Sequence, residues 1–311
     1  MGENNSYTPE EVAQILKVSK FTIYEMIKRK ELPAYHVGRR IRIEYNDLEN
    51  FKKASKGISA VSAAPPAITS NTTIAQTGEQ MIICGQDLVL DILTRHLEQE
   101  CPQIHFLRKY VGSMAGLLAL YQGTANLATS HLWDSDSGKY NLPYIRRLLP
   151  GYQTLVYNLV YRMAGFYVLK GNPKSIYTWK DLSRPDLKII NREYGSGARV
   201  LLDEQLYILN LDRNKLTGYE DVVTSHLAVA SAIARGEADV GIGIEKVAFQ
   251  VPEVEFIPLQ QERYDLVIHK EDISLPHFQV MLKLLQSSVF KKEIQGIGGY
   301  DVSQMGQLMT I

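Results

Sequence analysis

The chain has 311 residues, with 34 Lys and Arg against 34 Asp and Glu, so its formal net charge is zero and it is no general polyanion binder. Its 45% hydrophobic and 22% charged residues are ordinary for a globular protein, and the length suits about two domains. No apolar run approaches a membrane span, the polar start lacks an export signal, and two cysteines, Cys84 and Cys101, make no disulfide framework, so a cytoplasmic protein without membrane partners is expected.

Residues 1–54 read as a small, mainly helical unit. Thr8-Pro9-Glu10-Glu11 is a helix start, with Thr as cap, Pro at the first helical position and Glu three residues after the cap. Val12, Ala13, Ile15 and Leu16 form a short apolar stripe. Ser19 then caps a second helix holding Phe21, Ile23, Tyr24, Met26 and Ile27, a spacing that matches helix-turn-helix geometry. After the Leu32-Pro33 break, residues 35–43 suit a hairpin turning at Gly38, and Asp47 suits the cap of a last short helix. From Lys17 to Arg42 there are eight Lys or Arg against two acids, a local excess suited to DNA phosphates. Lys20, Phe21 and Thr22 are expected to face base edges, with Lys28, Arg39, Arg40 and Arg42 in the surrounding basic patch.

Residues 55–80 are rich in Ser, Ala, Pro and Thr and nearly free of charge, which predicts a flexible linker. Beyond it, residues 81–311 alternate apolar strands with amphipathic helices, an α/β pattern with substantial parallel sheet. Strands are expected at 81–84, 105–111, 187–190 and 240–244. Gly85-Gln86, Gly112-Ser113, the stretch from Asn191 to Arg199 and Thr224-Ser225 are turns running into helices. Free N–H groups and the positive end of a helix dipole at such turns favour a small anion. Each turn alone also reads as ordinary capping. Arg192 and Arg199 flanking Gly195-Ser196-Gly197 are the more telling arrangement, against the plainer reading of an Arg192–Glu193 pair beside a turn.

Enzyme signatures are lacking. Gly195-Ser196-Gly197 has Tyr194 where a nucleophile elbow needs Gly, Gly241-Ile242-Gly243 lacks the third glycine of a dinucleotide fingerprint, and no phosphate loop is present. Asp134-Ser135-Asp136-Ser137-Gly138 starts like a calcium loop but has Ile145 where the bidentate Glu belongs, so it reads as a polar turn. The histidines have no paired metal spacing. His131 and His226 read as core or capping residues, with ligand contact as the alternative. No catalytic residue, metal ligand or cofactor is expected.

Residues 7–51, with the Thr-Pro-Glu-Glu opening, the Val18-Ser19 turn, the Leu-Pro break and the Gly-Arg-Arg-x-Arg wing, resemble the excisionase/MerR-type helix-turn-helix. Segments 112–151, 171–206, 218–244 and 262–268, the Gly-Ser-Gly-x-Arg block above all, resemble the type 2 periplasmic-binding-protein-like domain, similar to molybdate- and tungstate-binding proteins. Together the resemblances imply a winged helix-turn-helix domain at 1–54 and a two-lobed α/β ligand-binding domain at 81–311, with the second lobe at about 160–250. Crossings between the lobes are expected near 155–165 and 245–255. Carried over by motif position, Gly85, Gln86, Ser113, Arg192, Ser196, Gly197, Arg199, Thr224 and Ser225 are the expected ligand contacts. Gln86 stands where importer-type oxyanion binders generally place a hydroxyl, and the arginines also suit a carboxylate. The implied protein is a bacterial, ligand-responsive transcriptional regulator that binds double-stranded DNA, senses molybdate or tungstate, and is a homo-oligomer. The alternative is a small-anion or carboxylate buffering protein whose head mediates protein contacts.

Overall fold

A computed structural model describes residues 6–28, 32–38, 40–45, 47–48, 51–52 and 79–310. The chain divides into two compact units, Met1–Ala75 and Gln76–Ile311. The expected linker lies outside the described residues apart from its last two positions.

In the first unit, Thr8 and Glu11 cap helix α1 (Pro9–Leu16) reciprocally. Glu11 N–H donates to Thr8 Oγ1 at 3.3 Å and Thr8 N–H donates to Glu11 Oε2 at 2.7 Å, which satisfies donors that the first turn leaves open. Lys17 stops the helix in the left-handed region (φ 55°). Ser19 then caps α2 (Lys20–Lys28), its Oγ accepting from Thr22 N–H at 3.1 Å. The hairpin forms as β2 (Tyr35–Val37) and β3 (Arg40–Glu44), and β1 (Ser6–Tyr7) adds a third strand on the free edge of β3. Two residues are too few to show a strand period in sequence, so β1 was not legible there. Asp47 is itself helical rather than the residue before the helix. Val12, Ile23, Leu32, Ile43 and Leu48 form the buried core of this unit.

The second unit is built on an eight-stranded mixed sheet. Two long strands run through its middle, β9 (Thr154–Leu169) and β13 (Val254–His269), antiparallel from Thr154↔His269 to Leu169↔Val254. Sixteen residues each, at about 3.3 Å per residue, span both lobes. One end carries the first lobe: β13 pairs with β6 (Leu127–Ser130), which pairs in parallel with β4 (Glu79–Cys84), and β4 with β5 (Ile104–Lys109). The other end carries the second: β9 pairs with β12 (Val240–Ile244), then β10 (Ile189–Arg192) and β11 (Val222–Val223) follow in parallel. Short β7 (Trp133–Asp134) and β8 (Lys139–Tyr140) form a separate hairpin around the Asp134–Gly138 turn.

The first expected crossing falls inside β9. The second comes later than 245–255, because β12 runs into a helical turn at Glu245–Ala248 before the chain re-enters the sheet at Val254. Helix α3 (Leu88–Glu100) shows why the lobes cohere. Asp87 caps it through Val89 N–H at 2.7 Å, and Val89, Leu90, Leu93 and Leu97 recur at helical spacing on one buried face. Cys84 and Cys101 are both buried free thiols.

Candidate functional site

Parallel strands in the two lobes end facing one another, so the turns that follow them converge. Gly85-Gln86 follows β4, and Gly112 precedes α4 (Ser113–Tyr121) after β5. His131 follows β6 in the first lobe. From the second lobe come Arg192 at the end of β10, Ser196 before α6 (Gly197–Ile208), and His226 opening α7 (His226–Ala234). Gln86, Ser113, Arg192 and Ser196 meet around a recess of about 10 Å³, together with Thr129, His131, His226 and Tyr264. That is about the space of one water molecule, so the two lobes meet closely over it.

The polarity of the recess has a direction. Gln86 Oε1 accepts from Arg192 Nη2 at 3.0 Å, Ser113 Oγ from His131 N–H at 3.2 Å, and Ser196 Oγ from Arg199 N–H at 3.3 Å. With an acceptor position used in each, the amide and hydroxyl hydrogens are left to donate. Among the described residues, no aspartate or glutamate lines the recess. Three helix N-termini point the same way, and Gly112 offers α4 no side-chain cap. Across the cleft, Met114 N–H donates to Gly195 O at 3.0 Å, which brings the lobes together at the recess.

The two arginines part company. Arg192 is buried and lines the recess, yet Nε and Nη2 each lie 2.8 Å from a Glu193 oxygen, and Nη2 reaches Thr224 O at 3.3 Å. Arg192 therefore lines the recess with its charge already matched by Glu193. Arg199 lies outside the recess. It is fully buried between the rings of Tyr194 and Tyr219, at 4.3 and 4.0 Å, and Nη1 donates to Tyr219 O at 3.1 Å. Its role is to hold the turn in shape.

Gly85 and Gly197 also stand beside the recess rather than in it. A Cβ on Gly85 (φ 146°) would lie 2.0 Å from Thr129 Oγ1, and one on Gly197 would lie 2.3 Å from His131 Nδ1. They admit those side chains to the site. Thr224 and Ser225 line an adjoining outer groove of about 540 Å³, which shares Gln86 and His226 with the recess. Ser225 caps α7 through Ala228 N–H at 3.0 Å. Another recess of about 540 Å³, lined by Leu142, Ile145 and Arg146 of α5 (Leu142–Leu148) with Tyr152, Gln153 and Lys270 among others, also carries donors, but it shares no lining residue with the recess between the lobes.

Sequence reasoning missed Thr129 and Tyr264 as lining residues, and gave His131 and His226 a place at the ligand only as the alternative. A signal was present: Thr-Ser-His-Leu occurs at 129–132 and again at 224–227, once in each lobe, and both histidines reach the recess. Their ring centroids lie 6.5 Å apart. Behind His131 runs a buried ionic chain. His131 Nδ1 is 2.8 Å from Glu262 Oε2, Arg162 Nε donates to Glu262 Oε1 at 2.6 Å, and Arg162 also pairs with Asp87. Burial alone would raise the Glu262 carboxyl, but Arg162 and then His131 outweigh it and hold it down at about 2. Arg162 and Glu262 are direct partners across β9 and β13, so the charge pair sits on the strands joining the lobes. His226 is pushed well below the ordinary histidine range, first by burial and then by Arg192, Arg162 and His131.

In the first unit, the described residues expected at DNA lie at the start of α2 (Lys20, Phe21, Thr22), at its end (Lys28) and on β3 (Arg40, Arg42). Phe21 is 73% exposed, an unusual position for a large aromatic residue. The Lys20 ammonium pairs with Glu10, and Thr22 Oγ1 turns back to Ser19 Oγ at 2.7 Å. Lys28 and Arg40 are exposed and Arg42 is half-buried, while Arg39 lies outside the described residues. Among the described residues no helix is long and apolar enough to cross a membrane, and no group of three or more His, Cys, Asp or Glu is placed to hold a metal ion.

Residues 94–286 match the model of a PBP superfamily domain, and residues 6–56 that of a helix-turn-helix domain. The chain is similar to YvgK of Bacillus subtilis strain 168, described as an uncharacterized protein, at 43% identity over 312 residues and 99% of each chain. Its fold is similar to a Clostridium perfringens substrate-binding protein of the phosphate ABC-transporter type solved with bound phosphate. The TM-score is 0.55 at 13% identity, over 72% of this chain and 99% of that one. EhuB in complex with hydroxyectoine is similar at TM-score 0.53 and 16% identity, over 72% and 89% of the two chains. At such identities these structures speak for the fold alone. With the family model covering more than half its length, the chain belongs to the PBP superfamily, and it carries a helix-turn-helix domain in the same polypeptide.

Proposed function

We propose that this protein is a cytoplasmic, ligand-responsive transcriptional regulator. In this reading the helix-turn-helix domain binds double-stranded DNA and the PBP-like domain senses a small tetrahedral oxyanion, molybdate or tungstate before others. The observation that carries the ligand half is the recess of Gln86, Ser113, Arg192 and Ser196, which presents donors and no carboxylate. A site of that kind favours fully ionised oxyanions, whose oxygens only accept, over anions bearing a hydrogen that needs an acceptor. The DNA half rests on the helix-turn-helix domain and its exposed Lys28 and Arg40, which suit phosphate contact. As such domains commonly read paired half-sites, a homo-oligomer is part of the proposal.

A second reading, an organic anion such as a carboxylate, is favoured by the outer groove. Leu88, Tyr110 and Leu227 line it next to Gln86 and His226, so an anionic head in the recess would leave a tail against apolar walls.

Equilibrium dialysis of the full chain with elemental analysis tests these readings. One molybdenum or tungsten per chain, with a DNase footprint near its own gene that changes on loading, is the expected result. Retention of neither metal alongside binding of a carboxylate would shift the assignment to the organic anion. Loading with no sequence-selective footprint on any DNA would instead favour a buffering protein.

A further inference from the structure

Charge is in short supply in the recess. Its one arginine, Arg192, is matched by Glu193 through two contacts of 2.8 Å. Beneath it, Arg162 is shared between Asp87 and Glu262. A dianion entering this space therefore meets hydrogen-bond donors but no uncommitted positive charge from an arginine or lysine among the lining residues. His226 is the lining residue positioned to change that. It is 8% exposed, it opens α7 where the helix dipole is positive, and its Nδ1 is buried without a hydrogen-bond partner. Buried polar atoms are almost always partnered in folded proteins, so a cleft-lining one that is not points to a ligand.

Resting on the oxyanion reading of this site, we propose that His226 is a specificity-determining residue that takes up a proton as a dianionic ligand enters, so that dianions bind with a proton and monoanions do not. Its surroundings supply the drive. Arg192 with Glu193 faces it from β10, Arg162 from β9, His131 from the end of β6, and Glu262 and Tyr264 from β13. On its outer side, Asp87 and Asp91 belong to the start of α3, and Tyr110, Lys246 and Tyr300 complete the groove. Lys246 is engaged with Ile297 O, and Asp91 with Arg108. Burial and the nearby cations disfavour the imidazolium, as the depressed titration of His226 reflects. A doubly charged anion reverses that local field and stabilises the protonated ring. His131 differs, because the protein itself already places the Glu262 carboxylate against its Nδ1.

The sign follows from linkage. A group protonated in the complex but neutral in the free protein makes affinity fall as pH rises between its free and liganded values, at up to about tenfold per pH unit for one proton. The test is calorimetry of the full chain with molybdate, tungstate and sulfate at pH 6 and pH 8, in buffers of different ionisation enthalpy, with nitrate and perchlorate as monoanions. The proposal expects uptake approaching one proton per bound dianion at pH 8 and little for a monoanion. His226→Gln, which keeps a polar side chain but cannot titrate, is expected to lose the uptake and flatten the pH dependence. Dianion binding with no proton uptake by the unaltered protein overturns the proposal and leaves the oxyanion reading standing. Unchanged uptake in a folded His226→Gln protein overturns it as well. Binding of none of the anions at either pH overturns both.

Discussion

Two buried polar regions lie side by side in the body of this protein, and they are built on opposite plans. Around Arg162, on the strands joining the lobes, the guanidinium is matched on two sides by carboxylates, and the Tyr264 ring stacks on it at 4.3 Å. Around Arg192, in the recess, a single carboxylate matches the charge while Ser113, Ser196 and Gln86 keep hydrogens to donate. The first arrangement is complete within the chain and holds a shape. The second is complete only in part, and the remainder describes the ligand. Burial does not separate them, since Arg162 is 3% and Arg192 4% exposed. What separates them is whether the partner set closes.

The sharpest way to break the comparison is Arg162→Met. It removes the guanidinium that Asp87 and Glu262 share, leaving Asp87 with hydrogen bonds from Val89 N–H and Tyr300 and Glu262 with His131, which is expected to cost about 3–5 kcal/mol of stability. Urea unfolding measures this as a lowered midpoint at unchanged slope. A loss below about 1 kcal/mol would place the Arg162 region in the same class as the recess.

Arg192→Gln is expected to act in the opposite balance. A hydrogen bond to a charged group is worth about 1.5–3 kcal/mol, so anion affinity should fall by about 10- to 100-fold. Stability should change little, because Glu193 is 27% exposed and water can solvate it once its partner is gone. Equal losses in affinity and stability would mean that Arg192 is primarily structural.

The smallest effects separate the two serines. Removing either hydroxyl should weaken anion binding about fivefold, the equivalent of about 1 kcal/mol. Ser196→Ala should also lower stability by about 1 kcal/mol, since Ser196 caps α6 through Arg199 N–H. Ser113 occupies the first helical position with Gly112 as cap, so Ser113→Ala removes no cap, but it takes the acceptor from the buried His131 N–H and should cost about 1 kcal/mol as well. Hydrogen exchange should therefore quicken in the first turn of α6 in Ser196→Ala and at His131 N–H in Ser113→Ala, and unchanged protection at both places would remove the distinction.

Local chemistry explains which expectations were legible. Thr8 with Glu11, Ser19 and Ser196 all announce helix starts through short-range side-chain-to-backbone bonds, and the structure has a helix after each. Strands β4, β10 and β12 showed as apolar runs because the sheet largely buries them, while β5, at the sheet edge, alternates buried and exposed residues. The long pairing of β9 with β13 joins residues about a hundred positions apart, and nothing within either segment names its partner. Arg199 shows the limit for the site. Its place beside Gly-Ser-Gly is visible in sequence, but the two tyrosine rings that enclose it come from different loops.

By itself, then, the sequence determined the two-part organisation, the helix caps and most of the turns that supply donors, since all of these depend on residues a few positions apart. Only the tertiary structure decided which donors share one recess. It turned Arg199 inward, matched Arg192 with Glu193 in the presence of Gln86 from the other lobe, and brought His131 and His226 within 6.5 Å of each other. The physical reason is that a ligand site is a convergence of strand ends, and convergence is set by the order of strands in the sheet, which no local pattern encodes.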